Sequence, residues 1–247
     1  MRGIDQRSRA RAALWLVPLA ASLLVTATTS AWAASGKCAG RESDPDCALY
    51  LITRKCLDTS AADYCDACPY PRSGYCPAPA TCETTTELWT GTAHYVAIRD
   101  RTVCACPQVI HGLVIPTGAI TGVEDPDRPA SIWKFAWAVA EAAGLTDDDA
   151  MLIVNPPDQR TQNQLHVHVL PLDPAKLPAL ESTPKAEIPD LTSVWTRADG
   201  LAAESGLASY GIVLHRSGAA WHLHIADAGL TDAYSRLPEC ARPVKKR

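Results

Sequence analysis

Between Gln164 and Val169 polar and apolar residues alternate without a break, reading Gln-Leu-His-Val-His-Val, with Leu170 next. A period of two fits an extended strand, since a helix would scatter Gln164, His166 and His168 around its axis. In a strand these three side chains share one face while Leu165, Val167 and Val169 share the other. The segment therefore belongs in a sheet with an apolar layer behind it and a polar row in front. Adjacent imidazoles on a rigid strand can supply a nitrogen nucleophile, a hydrogen-bond donor or metal ligands.

Other segments carry similar signals. His94 to Arg99, Ile110 to Ile115 and Ala150 to Asn155 read as strands, and Ser209 to His215 with Ala220 to Ala226 reads as a hairpin turning at Arg216-Ser-Gly218. Pro129 to Gly144 predicts a helix, with Ser131 as N-cap, Gly144 as stop, and Trp133, Phe135 and Trp137 assigned to core packing. Weaker helical patterns cover Asp46 to Asp58 and Leu191 to Glu204. Strands and helices in this order give an α+β class.

The ends of the chain bound its surroundings. Arg2, Arg7, Arg9 and Arg11 precede an apolar run from Ala12 to Ala27 and the small-residue pattern Ala31-Trp32-Ala33. That order predicts an export signal cleaved after Ala33, or a single anchor if it is retained. Without residues 1 to 33 the chain keeps 19 basic and 26 acidic side chains, a net charge near −7. No nucleic-acid partner is expected, because phosphate tracking needs basic clusters, and the only basic run is the tail Lys245-Lys246-Arg247. In an exported chain ten cysteines predict disulfides. Cys38, Cys47, Cys56, Cys65, Cys68, Cys76 and Cys82 crowd the N-terminal segment, with Cys104, Cys106 and Cys240 outside it. The expected division is a leader or anchor over 1–33, a cysteine-rich cap over 34–92 and a catalytic body over 93–247.

The body resembles the histidine triad superfamily over residues 94 to 171, about a third of the chain. The resemblance rests on Pro107-Gln-Val-Ile-His-Gly-Leu-Val-Ile-Pro116, the helix ending Ala-Gly-Leu145, the strand Met151-Leu-Ile-Val-Asn155 and the strand bearing His166 and His168. In that register Gln164 stands where the superfamily has its first histidine. Arg160-Thr-Gln-Asn-Gln-Leu-His-Val-His168, the loop Ile115 to Pro126, the Trp-rich helix, the export signal, Ser209-Tyr-Gly-Ile-Val and Cys240 look more narrowly like bacterial CDP-diacylglycerol pyrophosphatases.

The resemblance implies an antiparallel sheet with packed helices, and hydrolysis of CDP-diacylglycerol to CMP and phosphatidate without metal or other cofactor. His166 would attack the cytidine-side phosphorus. His168 would serve a phosphate oxygen or the leaving group, Gln164 and Thr161 would contact oxygens, and Arg160 would hold the second phosphate. His111 is a further imidazole near the site, and Asn155 either fixes ribose and loop or simply forms a turn before Pro156-Pro157. A lipid substrate implies work at a membrane surface, and the superfamily permits a homodimer. Two other readings compete. One is an exported nucleotide hydrolase or nucleotidyltransferase of the same fold acting on soluble substrates. The other is a disulfide-rich metal-binding protein, in which His222 and His224 join His215 or His94 on zinc.

Overall fold

The computed structural model describes residues 37–41, 43–57, 87–104, 106 and 108–235. The expected leader, Cys65, Cys68, Cys76, Cys82, Cys240 and the basic tail lie outside them. The described residues belong to one compact unit.

Eight antiparallel strands form one sheet: β1 (Leu88–Gly91), β2 (Tyr95–Arg99), β3 (Gly112–Pro116), β4 (Ala150–Val154), β5 (Val167–Pro171), β6 (Lys185–Ile188), β7 (Gly211–Ser217) and β8 (Ala220–Ala226). Their order across the sheet is β1-β2-β3-β5-β4-β7-β8-β6. The α+β class expected from sequence, with an antiparallel sheet and packed helices, is what the chain adopts. The N-terminal segment carries the disulfide Cys38–Cys47, and Cys56, Cys104 and Cys106 are disulfide-bonded as well.

Both faces of the sheet are buried, which is why the central strands read as nearly continuous apolar runs. On one face Ala97, Val114, Leu152, Val167, Val169, Ile212 and Leu214 pack beneath α2 (Ser131–Ala142) and α4 (Val194–Ser205). On the other, Val96, Ile98, Leu113 and Ile115 meet α1 (Ala48–Lys55). Farther along that second face Met151, Ile153, Leu170 and Val213 meet α3 (Leu177–Leu180) and α5 (Leu230–Tyr234). Among the described residues no helix is long and apolar enough to cross a membrane.

Two local expectations need correction and a third holds. Ser131 is the first helical residue of α2, not its cap, and its Oγ instead bonds the Tyr95 hydroxyl at 2.6 Å. Gly144 does end that helix region, in the left-handed conformation at φ 88° that favours glycine. The strand expected from Gln164 begins only at Val167, since β3 and β5 pair no further than Val114 with Val167. The next pair in that register, Ile115 with His166, does not form. Residues 164–166 turn instead onto the loop after β3, where the Leu165 N–H bonds the Ile120 carbonyl at 2.6 Å.

Candidate active site

Strand parity gathers the polar residues. Ile98, Leu113, Ile153 and Leu170 all lie on the face that meets α1, α3 and α5, so positions 100, 111, 155 and 168 project to that same face. Asp100, His111, Asn155 and His168 are thereby brought together. With His166, Arg160 and Thr161 they line a cleft of about 390 Å³. Its other wall is apolar, made by Ala48, Leu49 and Ile52 of α1 with Ile98 and Leu113.

His166 is the best-defined group in the cleft. Its Nδ1 lies 2.7 Å from the Gln164 carbonyl oxygen. A carbonyl can only accept, so the neutral ring carries its proton on Nδ1 and its lone pair on Nε2. Burial holds His166 below the usual histidine range, with the nearby Arg160 and His111 pushing the same way against the Gln164 bond and Asp100. At neutral pH it is therefore an uncharged imidazole with a defined tautomer.

His168 is buried deeper, and burial followed by the His166 and His111 rings puts its pKa well below the ordinary value. Its Nδ1 is 3.0 Å from His111 Nε2, and its Nε2 is 3.4 Å from Asn155 Nδ2. His111 Nε2 also approaches Asp100 Oδ2 at 3.3 Å. The donor atoms of Asp100, His111 and His168 lie within 4.8 Å of one another, a set that can hold a cation or, as here, hold each other in a proton-sharing row.

Asn155 has a role that the turn reading omits. Its Oδ1 accepts from the N–H groups of Leu230 and Thr231 at 2.9 and 3.2 Å, capping α5, so Nδ2 must be the donor toward His168 and toward Thr231 Oγ1 at 2.9 Å. The amide thus ties the helix terminus to the histidine row.

Gln164 is placed differently from the expectation. It is fully buried, and its Nε2 donates to the Pro116 and Gly118 carbonyls at 2.9 and 2.7 Å, so it fastens the loop rather than facing the cleft beside His166. Arg160 lines the cleft, but its terminal nitrogens are paired with both Glu124 oxygens at 2.7 and 2.5 Å. Gly122 makes room for it, since a Cβ there would stand 2.0 Å from Arg160 Nη1. Thr161 is exposed at the cleft wall. Sequence reasoning missed Asp100, Arg101, Thr102, Gln159 and Thr231. For the first three the available signal was a polar run directly after a strand; Thr231 gave none.

A family model described as CDP-diacylglycerol pyrophosphatase matches residues 77–204. The chain belongs to the CDP-diacylglycerol pyrophosphatase family. Curated CDP-diacylglycerol pyrophosphatases of Mycobacterium bovis and Mycobacterium tuberculosis are 34% identical over 85 residues, covering 30% of this chain. The match spans 33% of those relatives' length. A solved HIT family hydrolase from Clostridium thermocellum is similar at 28% identity and a TM-score of 0.31, covering 37% of this chain and 83% of that one. The family match of 77–204 takes in His111, Asn155, Arg160, Thr161, Gln164, His166 and His168, whereas Thr231 lies beyond it.

Proposed function

We propose that this protein hydrolyses the pyrophosphate bond of CDP-diacylglycerol, releasing CMP and phosphatidate, through a nucleotidyl-histidine on His166. The observation that carries the reading is the pinned tautomer of His166 in a cleft with one polar and one apolar wall. Its Nε2 lone pair attacks the cytidine-side phosphorus, an N–P bond forms, and the bond from that phosphorus to the bridging oxygen breaks. Phosphatidate leaves with the electron pair on its phosphate. Water then adds to the phosphorus, and the imidazole departs as CMP is formed.

The remaining groups position and neutralise, which is most of what phosphoryl-type transfer asks of a protein. Arg101, Thr102 and Thr161 line the cleft and offer donors to the phosphate oxygens. His168 Nε2 accepts from Asn155 across 3.4 Å, so it serves a phosphate oxygen or the leaving group only once that long contact yields and a proton moves onto Nε2. The apolar wall from α1 and the two central strands suits the glycerol and proximal acyl carbons of a lipid held at a membrane surface. That wall favours the lipid over a soluble dinucleotide.

The test presents CDP-diacylglycerol in mixed micelles beside CDP-choline and a diadenosine polyphosphate, and follows release of CMP or AMP. Turnover of the lipid should dominate, and His166→Ala should lose about 10³-fold or more. Rapid quench with label on the cytidine phosphate should trap an acid-labile adduct in the wild type and none in His166→Ala. Preference for a soluble substrate, or an undiminished His166→Ala, refutes the reading.

A further inference from the structure

The same sheet parity that builds the cleft assembles a second cluster beyond β4, one that hydrolysis at His166 does not use. Leu214, Leu223 and Ile225 face α2 and α4, so His215, His222 and His224 project to the opposite face. His215 and His224 are buried there, and Glu181, just past α3, leans over them with 44% of its side chain exposed. One ligand atom from each of Glu181, His215 and His224 lies within 4.8 Å of the others.

Three details make this more than a chance meeting of polar groups. The two Nε2 atoms stand 3.3 Å apart. Two nitrogens each about 2.0–2.1 Å from a tetrahedral ion are separated by about 3.3–3.4 Å, so the rings already span a ligand edge. Next, the His224 tautomer is set from outside. Thr183 gives its only hydroxyl proton to the Leu180 carbonyl at 2.8 Å, so at 3.3 Å from His224 Nδ1 it accepts, and the lone pair of the neutral ring falls on Nε2, toward His215. That is the outer-shell arrangement typical of ligating histidines. Last, Lys185 holds Glu181 through Oε2, which leaves Oε1 aimed at His224 Nε2 at 3.8 Å. His222 stacks on His215 with centroids 5.2 Å apart and fixes the plane of that ring.

We propose that Glu181, His215 and His224 bind one divalent transition-metal ion of the zinc type, at a site separate from the cleft, with the fourth position on the solvent side beside Glu181. Two imidazoles and one carboxylate select a borderline ion over calcium or magnesium, which take oxygen ligands. The bland alternative is a plain N–H···N bond between the two rings, with no affinity for an ion.

The experiment uses untagged, oxidised full-length protein stripped with EDTA, titrated with Co²⁺ and followed by its visible d–d bands. Zn²⁺ displacement and elemental analysis then give stoichiometry. The proposal expects one ion per chain, with tetrahedral-type Co²⁺ bands, in both the wild type and His168→Ala. Thr183→Val, which removes the acceptor from Nδ1, should weaken binding about 10- to 100-fold. Glu181→Ala, a change at a half-exposed side chain that leaves the core intact, should weaken it at least as much. No stoichiometric ion in the wild type overturns the proposal. So does binding that is unchanged in Glu181→Ala and Thr183→Val, or that vanishes in His168→Ala and thereby belongs to the Asp100 row.

Discussion

At the scale of single residues the site depends on where protons rest. The proposed nucleophile His166 would attack only when uncharged, and its folded pKa lies below the usual 6.5, chiefly from burial. The active form is therefore lost as pH falls through that depressed value and is fully present above it. The acid limb of kcat/KM should lie below pH 6.5, and an acid limb above it would contradict the environment described for His166. Asn155→Asp offers a second test, because the new carboxylate keeps the acceptor that caps α5 but replaces the donor facing His168. An anion there favours the charged imidazole, so protonation of His168 should shift to higher pH while the melting temperature changes little. Histidine NMR titrations of the two proteins would read the shift directly. His166 and His168 were legible in the sequence from periodicity, and His111 only through the family resemblance. The turn of Gln164 into the loop was not, because alternation cannot report that the Pro116 and Gly118 carbonyls, 48 and 46 residues earlier, capture its side chain.

At the scale of elements, six of the eight strands and the helices α1, α2 and α4 follow from pattern, with ends displaced by a few residues. β1 and β6 escape notice because each is an edge strand of only four residues. A run that short carries too little periodicity to stand out from its loops. α5 escapes for a different reason: its five residues are held by a side chain 75 positions away in sequence. The junction of β4, β7 and α5 is tight at Gly211, where a Cβ would come 2.5 Å from the Val154 carbonyl oxygen and 2.7 Å from both Leu230 Cδ1 and Pro156 Cδ. Backbone cannot yield there as a flexible side chain would. Gly211→Ala should cost about 1–3 kcal/mol. At about 2–4 °C per kcal/mol for a protein of this size, thermal unfolding would register it clearly. The displaced neighbours include the peptide next to Asn155, so activity should fall more steeply than in an equally destabilised variant remote from the cleft.

At the scale of the whole molecule, the N-terminal segment is part of the site and not an attachment to it. Gln162 accepts from the Leu49 N–H at 2.9 Å and donates to the Pro45 carbonyl at 3.1 Å, while the Asn163 N–H bonds the Asp46 carbonyl at 2.6 Å. These bonds clamp the 161–163 loop, which leads directly into His166, onto the start of α1. The buried Cys38–Cys47 disulfide spans nine positions and closes the turn that carries this clamp. A loop that short contributes about 2–3 kcal/mol on the chain-entropy account. The double variant Cys38→Ser, Cys47→Ser should therefore unfold earlier, and its loss of function should have a particular form. α1 supplies the apolar wall and His166 sits on the opposite, polar side, so on the proposed function loosening α1 would remove contacts to a lipid before it disturbed the nucleophile. KM for CDP-diacylglycerol should rise more than KM for a short-chain or water-soluble CDP ester, with kcat for the soluble ester nearly retained at a temperature where the variant is folded. Equal losses on both substrates would mean that α1 acts only as a brace for the loop, and that the apolar wall has no part in recognising the lipid.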